Sequence, residues 1–231
     1  MGIIAGLKSA GFAAGDEVIV SAYDDGEVAR AVVAAGAVPV FADIDADTYC
    51  LGVGGIEAVV TSRTAGLVLV HRFGHPADAE QFRQLAARLG LVLVEKHEDD
   101  GQDGQGGRVG DVAQRRQHAG YLDRRLVGVR TPAPAEGHGY QRYVVRVPGN
   151  GRPDRDAFAR LLRRRGVECE VPVVTPVHRT REFRRVGCVL PETERAVDET
   201  LALPRLDGLS DAGVRKLVSV CNALGGLLQP A

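Results

Sequence analysis

The sequence is short of several features that mark particular classes of protein. Its longest apolar runs, such as Leu67–Val70 and Leu91–Val94, have only the length of a strand, so we predict no membrane span. The 29 basic and 30 acidic residues nearly balance, and the formal net charge of −1 gives no reason to expect nucleic acid or an anionic membrane as a partner. The apolar start has no basic region and no cleavage pattern, so we expect no signal peptide.

Cysteine and lysine are both scarce. The four cysteines are Cys50, Cys169, Cys188 and Cys221. No two of them have the CxxC spacing of a metal or redox motif, and this scatter favours a reducing compartment. We therefore expect a cytoplasmic protein. Of the 29 basic residues only three are lysines, namely Lys8, Lys96 and Lys216.

The first half of the chain alternates between strand and helix patterns. Short runs rich in Val, Ile and Leu, of the kind that parallel sheets bury on both faces, lie at Glu17–Ala22, Val38–Ala42, Gly66–His71 and Leu91–Glu95. Helical patterns lie between them at about Gly26–Ala35, Gly55–Thr61 and Ala77–Leu89. This alternation predicts right-handed βαβ units and a short, doubly wound sheet.

The composition then changes to Gly, Gln, Arg and Pro over about Gly104–Gly139, which indicates a linker with at most one short helix. Beyond it we predict strands at Tyr143–Val147 and Val167–Val171, and helices at about Arg155–Arg165, Glu192–Leu201 and Ser210–Leu224. The predicted domains are residues 1–113, a linker over 114–139 and a small domain over 140–231.

A polar tract follows the fourth predicted strand directly. The thirteen residues from Glu95 to Gly107 include no apolar side chain. Ligands of open α/β sheets are held at the carboxyl ends of the strands, so this tract is where a site is expected. The stretch from Gly101 to Arg116 buries nothing and is rich in glycine, so we expect it to be mobile, with rapid amide exchange.

Several motifs, in order along most of the chain, resemble the DegT/StrS sugar-aminotransferase family. They are Gly15–Tyr23, Ala34–Tyr49, Thr61–Thr64, Val70–Asp78, Gly107–Asp111, Tyr143–Val147, Pro176–His178 and Leu201–Pro204. The resemblance implies an α/β protein that uses pyridoxal phosphate (PLP) on the fold type I scaffold. Here it implies a truncated large domain, with a mostly parallel sheet and helices on its faces, plus a small C-terminal α/β domain. It also implies a homodimeric ancestor with active sites near the dimer interface.

The resemblance further implies three cofactor anchors that this sequence does not supply. The family's aspartate, which pairs with the pyridinium nitrogen of PLP, is replaced by Lys96. The Schiff-base lysine segment is absent, because the chain passes from Gly110–Ala113 almost directly to Leu126. The chain also starts inside the helix that the phosphate-binding turn would open. We therefore predict no catalytic residue, no cofactor-binding residue and no bound PLP.

Three histidines are the candidate substrate residues, and each has a structural alternative. His71 flanks a strand end, where capping of the turn that follows is favoured over a site role. His97 lies in the polar tract. His178 matches the family's Pro-x-His near the substrate pocket, but it could equally be a loop histidine. We predict no metal site, since the run Lys96–Asp100 lacks a spacing that preorganises ligands.

These observations leave three hypotheses. The favoured one is a degenerate aminotransferase-family protein without transamination, either a remnant or a non-catalytic subunit that forms a homodimer or a heterodimer with a full-length paralogue. The second is an active PLP-dependent sugar aminotransferase that uses Lys96. The third is a binder of an anionic sugar metabolite that does not use PLP. The missing lysine segment favours the first.

Overall fold

The computed structural model describes residues 3–97, 111–148, 154–184 and 188–225. The chain divides into two compact units. The first consists of residues 1–72, 76–97 and 173–195, and the second of residues 73–75, 98–172 and 196–231. The predicted domain boundaries, by contrast, follow the order of the sequence and assign 173–195 to the small domain. Among the described residues, no helix is both long and apolar enough to cross a membrane.

The first unit is built on a four-stranded parallel sheet, which confirms the predicted α/β class. Its strands are β1 (Glu17–Ser21), β2 (Val38–Ala42), β3 (Thr64–His71) and β4 (Val92–His97), in the order β2-β1-β3-β4. In the register of the sheet, Ile19 pairs with Val40 on one side and with Leu67 on the other, and Leu67 pairs with Leu93. The helices are α1 (Ile3–Ser9), α2 (Glu27–Ala34), α3 (Val53–Glu57) and α4 (Ala79–Leu89).

Apolar side chains cover both faces of this sheet, as the continuous hydrophobic runs predict. On one face, alternate residues of β1 and β3, such as Val20 and Val68, pack with the buried residues of α1 and α2. On the other face, Ile19 and Leu69 pack with Ile56 and with the buried side of α4. The Asp78 carboxylate caps the start of α4 by accepting the Gln81 N–H at 3.0 Å.

The second unit surrounds a core of its own. A two-stranded antiparallel sheet, β5 (Val144–Arg146) and β6 (Thr200–Ala202), packs with α5 (Asp111–Asp123), α6 (Asp154–Arg164) and α8 (Asp211–Gly225). Helix α7 (Pro191–Glu199) begins in the first unit and ends in the second.

Two predicted elements of the second half differ from the structure. The predicted strand Val167–Val171 is absent from the described residues apart from one bridge between Glu170 and Ala202. Its first residue lies just after α6, and the Val167 N–H bonds to the carbonyl of Leu162 in the last turn of that helix. The predicted helix Glu192–Leu201 ends at Glu199, and its last residues form β6 because their backbone pairs with β5.

The predicted linker, residues 114–139, contains most of α5. This helix contributes Ala119 and Leu122 to the core of the second unit, and the Arg115 side chain is fully buried. Of the stretch expected to be mobile, Gly101 to Gly110 lies outside the described residues, whereas the part from Asp111 onward is helical. The composition did not predict this ordered helix, because α5 is polar and is held mainly by contacts with residues that are distant in the sequence.

Candidate functional site

The connections of the sheet indicate where a ligand would bind. The chain leaves β1 for α2 on one face, and it leaves β3 for α4 on the other face. Because β1 and β3 are neighbours, these two connections diverge at the carboxyl ends of the strands. Such a switch point opens a crevice, which is the usual ligand site of an open α/β sheet. Residues 22–26, Arg72 and the end of β4 lie at this edge of the sheet.

Lys96 lies at this edge in an ion pair. Strand alternation places its side chain on the same face as Val94, the face that α1 and α2 cover. Its Nζ lies 2.5 Å from Oε2 of Glu27, the first residue of α2, and its side chain is 17% exposed. The ammonium therefore ties the end of β4 to the start of α2.

Two adjacent carboxyl groups that were not among the predicted site residues follow β1. Asp24 is only 6% exposed, and its Oδ1 accepts the Gly26 N–H at 2.9 Å. Burial raises the pKa of Asp24 to about 6, against the opposing charge of Arg72. Hydrogen bonding with Asp24 lowers the pKa of Asp25. Two acids followed by a glycine, shortly after an apolar run that predicts a strand, were the signal available in the sequence.

Two of the three candidate histidines meet on the opposite face of the sheet. The rings of His71 and His97 stack with centroids 4.2 Å apart and planes 8° apart. The His71 Nε2 lies 3.8 Å from Oε2 of Glu95, and Arg83 also pairs with Glu95, at 3.0 Å. His71, Glu95 and His97 each place one possible ligand atom within 4.8 Å of the others, the spacing of a metal site.

The hydrogen bonding of His71 argues against a metal at this cluster. Its Nδ1 accepts the Ala77 N–H at 3.1 Å, so the lone pair of Nδ1 is engaged. A neutral imidazole then carries its proton on Nε2, the nitrogen that faces Glu95. Coordination through Nε2 would need a lone pair at that atom. His71 instead fixes the backbone that enters α4.

His178 lies in a separate set of contacts. It belongs to a 3₁₀ turn, Val177–Arg179, and the residue is only 1% exposed. Its Nε2 lies 3.3 Å from Oε1 of Glu194, on α7. Burial lowers the pKa of His178, while the hydrogen bond to Glu194 opposes that shift. The ring has almost no surface with which to contact a ligand directly.

The described residues at this edge do not fit PLP. A pyridinium nitrogen needs an acidic partner, whereas the end of β4 presents an ammonium that is already paired with Glu27. The other two lysines, Lys8 on α1 and Lys216 on α8, are exposed helix residues. The described side chains at this edge therefore do not support a reaction step that uses PLP.

Comparison with known proteins identifies relatives. The model of the "DegT/DnrJ/EryC1/StrS aminotransferase family" matches the chain in two segments, residues 1–113 and 107–222. The L-glutamine:2-deoxy-scyllo-inosose aminotransferase of Streptomyces kanamyceticus is 44% identical over 89 residues, which are 38% of this chain and 21% of that protein. The pleiotropic regulatory protein of Geobacillus stearothermophilus is 27% identical over 292 residues, which cover 89% of this chain and 77% of that protein.

Solved structures share the fold. The aminotransferase TlmJ from Streptoalloteichus hindustanus superposes with a TM-score of 0.82 at 24% identity, covering 98% of this chain and 84% of that one. NtdA from Bacillus subtilis, solved with bound cofactor PMP, gives a TM-score of 0.85 at 18% identity, covering 97% and 71%. The match to the first relative spans about a fifth of that protein's length. The resemblance seen in the sequence motifs is confirmed, and the chain belongs to the DegT/DnrJ/EryC1/StrS aminotransferase family.

Proposed function

We propose that this family member has lost PLP-dependent transamination and is a non-catalytic partner subunit or a remnant. The observation that carries the proposal is the Lys96–Glu27 ion pair at the carboxyl end of β4. The pair occupies the lysine at the carboxyl edge of the sheet. It also places a positive charge where the family has the aspartate that pairs with the ring nitrogen of PLP. The same pair opposes the rival hypothesis of an active enzyme, because Lys96 would have to leave Glu27 to act.

The comparisons support a missing internal segment. The 292-residue alignment with the Geobacillus protein is longer than this 231-residue chain, so that relative has residues without a counterpart here. The family model likewise matches in two segments that meet at residues 107–113. The sequence lacks the Schiff-base lysine segment at this place. We retain the predicted division at 113/114 and 139/140 as a proposal about the ancestral domains.

Adding PLP to the purified protein is expected to give no visible absorption band of a lysine-bound cofactor beyond that of random surface amines. The matched control is Lys96→Arg, which keeps the positive charge facing Glu27 but offers no primary amine. The two spectra should coincide. A band present in the native protein and lost in Lys96→Arg, with borohydride fixing the cofactor on Lys96, would support the active enzyme instead.

We also propose that the chain associates in the cytoplasm, either with itself or with a full-length paralogue. Val33 on α2 and Val92 on β4 are 53% and 41% exposed, and within the described residues β4 pairs only with β3. Open strand edges are uncommon in soluble monomers, because their unpaired backbone groups can pair with another chain. The inherited dimer surface is the partner site that this proposal favours.

Sedimentation at micromolar concentration should show a dimer or a complex with a paralogue from the same genome. Replacing both Val33 and Val92 with Glu should shift the protein toward monomer, because charge opposes burial of these side chains. Val127→Glu, at a valine of the second unit that is 58% exposed, is the matched control and should not. A stable monomer that binds no such paralogue would exclude the partner-subunit proposal. The remaining hypotheses would then be a remnant or a stand-alone metabolite binder.

A further inference from the structure

The segment that contains His178 covers part of the carboxyl edge of the first unit's sheet. The Val177 N–H donates to the carbonyl of Ala22, directly after β1, at 2.9 Å. Val177 is buried with the residues of α1 and α2, and the ring of Phe183 meets that of Phe41 edge-on at 5.9 Å. Residues 176–183 are therefore held by packing and by one backbone hydrogen bond to the strand end.

The His178 ring fits its surroundings only when neutral. Nε2 faces Glu194, whereas Nδ1 is buried and has no hydrogen-bond partner within the part of the chain that the structure describes. Protonation would put an N–H on both ring nitrogens, so a buried Nδ1–H would lack an acceptor.

Three charged groups face His178, and they have opposing effects on its pKa. Glu194 on α7 and Asp43 after β2 favour the protonated ring, whereas Arg179 in the same turn disfavours it. The Glu194 carboxylate is shared, because Arg179 Nε donates to its Oε1 at 3.0 Å. Burial outweighs these charges, so the neutral ring is the stable form in the fold.

We propose that His178 is an acid-sensitive latch: uptake of a proton by its buried ring releases residues 176–183 from the end of β1 and opens this edge of the sheet. This role is independent of whether the protein binds PLP. It assigns His178 to the closure of the edge and not to direct contact with a ligand.

The lowered pKa of His178 determines how the stability of residues 176–183 depends on pH. Burial holds the pKa of His178 in the fold below the ordinary histidine value of about 6.5, so the latch stabilises the segment fully above about pH 6.5 and loses this effect as the pH falls through the lowered value. Asp24 has the opposite effect on stability. Because its pKa is raised to about 6, protonation of Asp24 at lower pH stabilises the folded state. The pKa of Glu194 is lowered, chiefly by Arg179, so its charge persists over this range.

Hydrogen exchange of the full chain at about pH 7.5 and about pH 5, corrected for the intrinsic chemical rates, tests the latch. Protection of the amides of residues 177–183 should fall severalfold at the lower pH, because the opened segment takes up the proton more readily than the closed one. Amides of β3 should keep their protection. Equal protection of 177–183 at both pH values, or a loss shared equally by β3, would overturn the proposal.

His178→Gln separates the ring from other acid effects, because glutamine keeps an amide for Glu194 but does not titrate. In this variant the protection of 177–183 should be independent of pH over the same range. His97→Gln, at an exposed histidine, is the control and should behave like the native protein. Should His178→Gln not fold, NMR titration of the native His178 ring decides: a pKa at or above the ordinary value would contradict the latch.

Discussion

Replacing Asp43 with Ala is expected to lower the free energy of unfolding by about 3 kcal/mol, since several hydrogen bonds to a carboxylate are lost together. Asp43 follows β2, and its Oδ1 accepts the backbone N–H and the hydroxyl of Thr193 at 2.8 and 2.7 Å. Its Oδ2 accepts the Glu192 N–H at 2.9 Å. These groups begin α7, so one side chain caps a helix 150 residues away in the sequence.

Two variants test whether this capping is the cause. Asp43→Asn keeps one acceptor oxygen and should lose roughly half as much stability in denaturant unfolding. Asp45→Ala is the matched control, because the Asp45 carboxylate accepts the local N–H groups of Asp47 and Thr48 in an exposed turn. We expect a loss of under about 1 kcal/mol there. An Asp43→Ala variant no less stable than Asp45→Ala would contradict the capping role.

Replacing Arg115 with Ala should also be severe, at about 3–5 kcal/mol, because it breaks a buried ion pair. The guanidinium is fully buried, its Nε donates to the Gly139 carbonyl at 2.8 Å, and its Nη1 lies 3.2 Å from Oδ2 of Asp207. Asp207 keeps Arg205 as a second partner at 2.9 Å, so the lower end of that range is expected.

The neighbouring arginine supplies the control for this prediction. Arg116 is exposed and donates one hydrogen bond, at 2.9 Å, to the His138 carbonyl. Arg116→Ala should therefore cost about 1 kcal/mol in the same unfolding measurement. Similar losses for the two variants would show that Arg115 contributes through its helix position and not through its buried charge.

The sequence predicted the first unit's sheet well because β1 and β3 are apolar on both sides, and such runs are typical of buried parallel strands. It failed at β6, because Thr200–Ala202 continues a helical pattern and becomes a strand only by pairing with β5. The predicted strand Val167–Val171 was wrong because, within the described residues, only a single bridge between Glu170 and Ala202 pairs this run with another strand.

The candidate site was predicted in part. Lys96, His71 and His97 are visible in the sequence because they end apolar runs that predict strands. Their partners are not, since Glu27 lies 69 residues from Lys96 and only the fold brings the two together. The buried carboxyl of Asp24 was missed because its burial depends on the chain around it, not on its own neighbours in sequence.

The return of residues 173–195 to the first unit has a consequence for the order of events during synthesis. The four strands of the sheet are complete by residue 97, yet the Val177–Ala22 hydrogen bond and the cap of Asp43 on Thr193 need chain made much later. Domains generally fold as units from the N-terminus while the ribosome is still at work. The carboxyl edge of this sheet therefore stays uncovered for as long as residues 98–172 take to emerge from the ribosome.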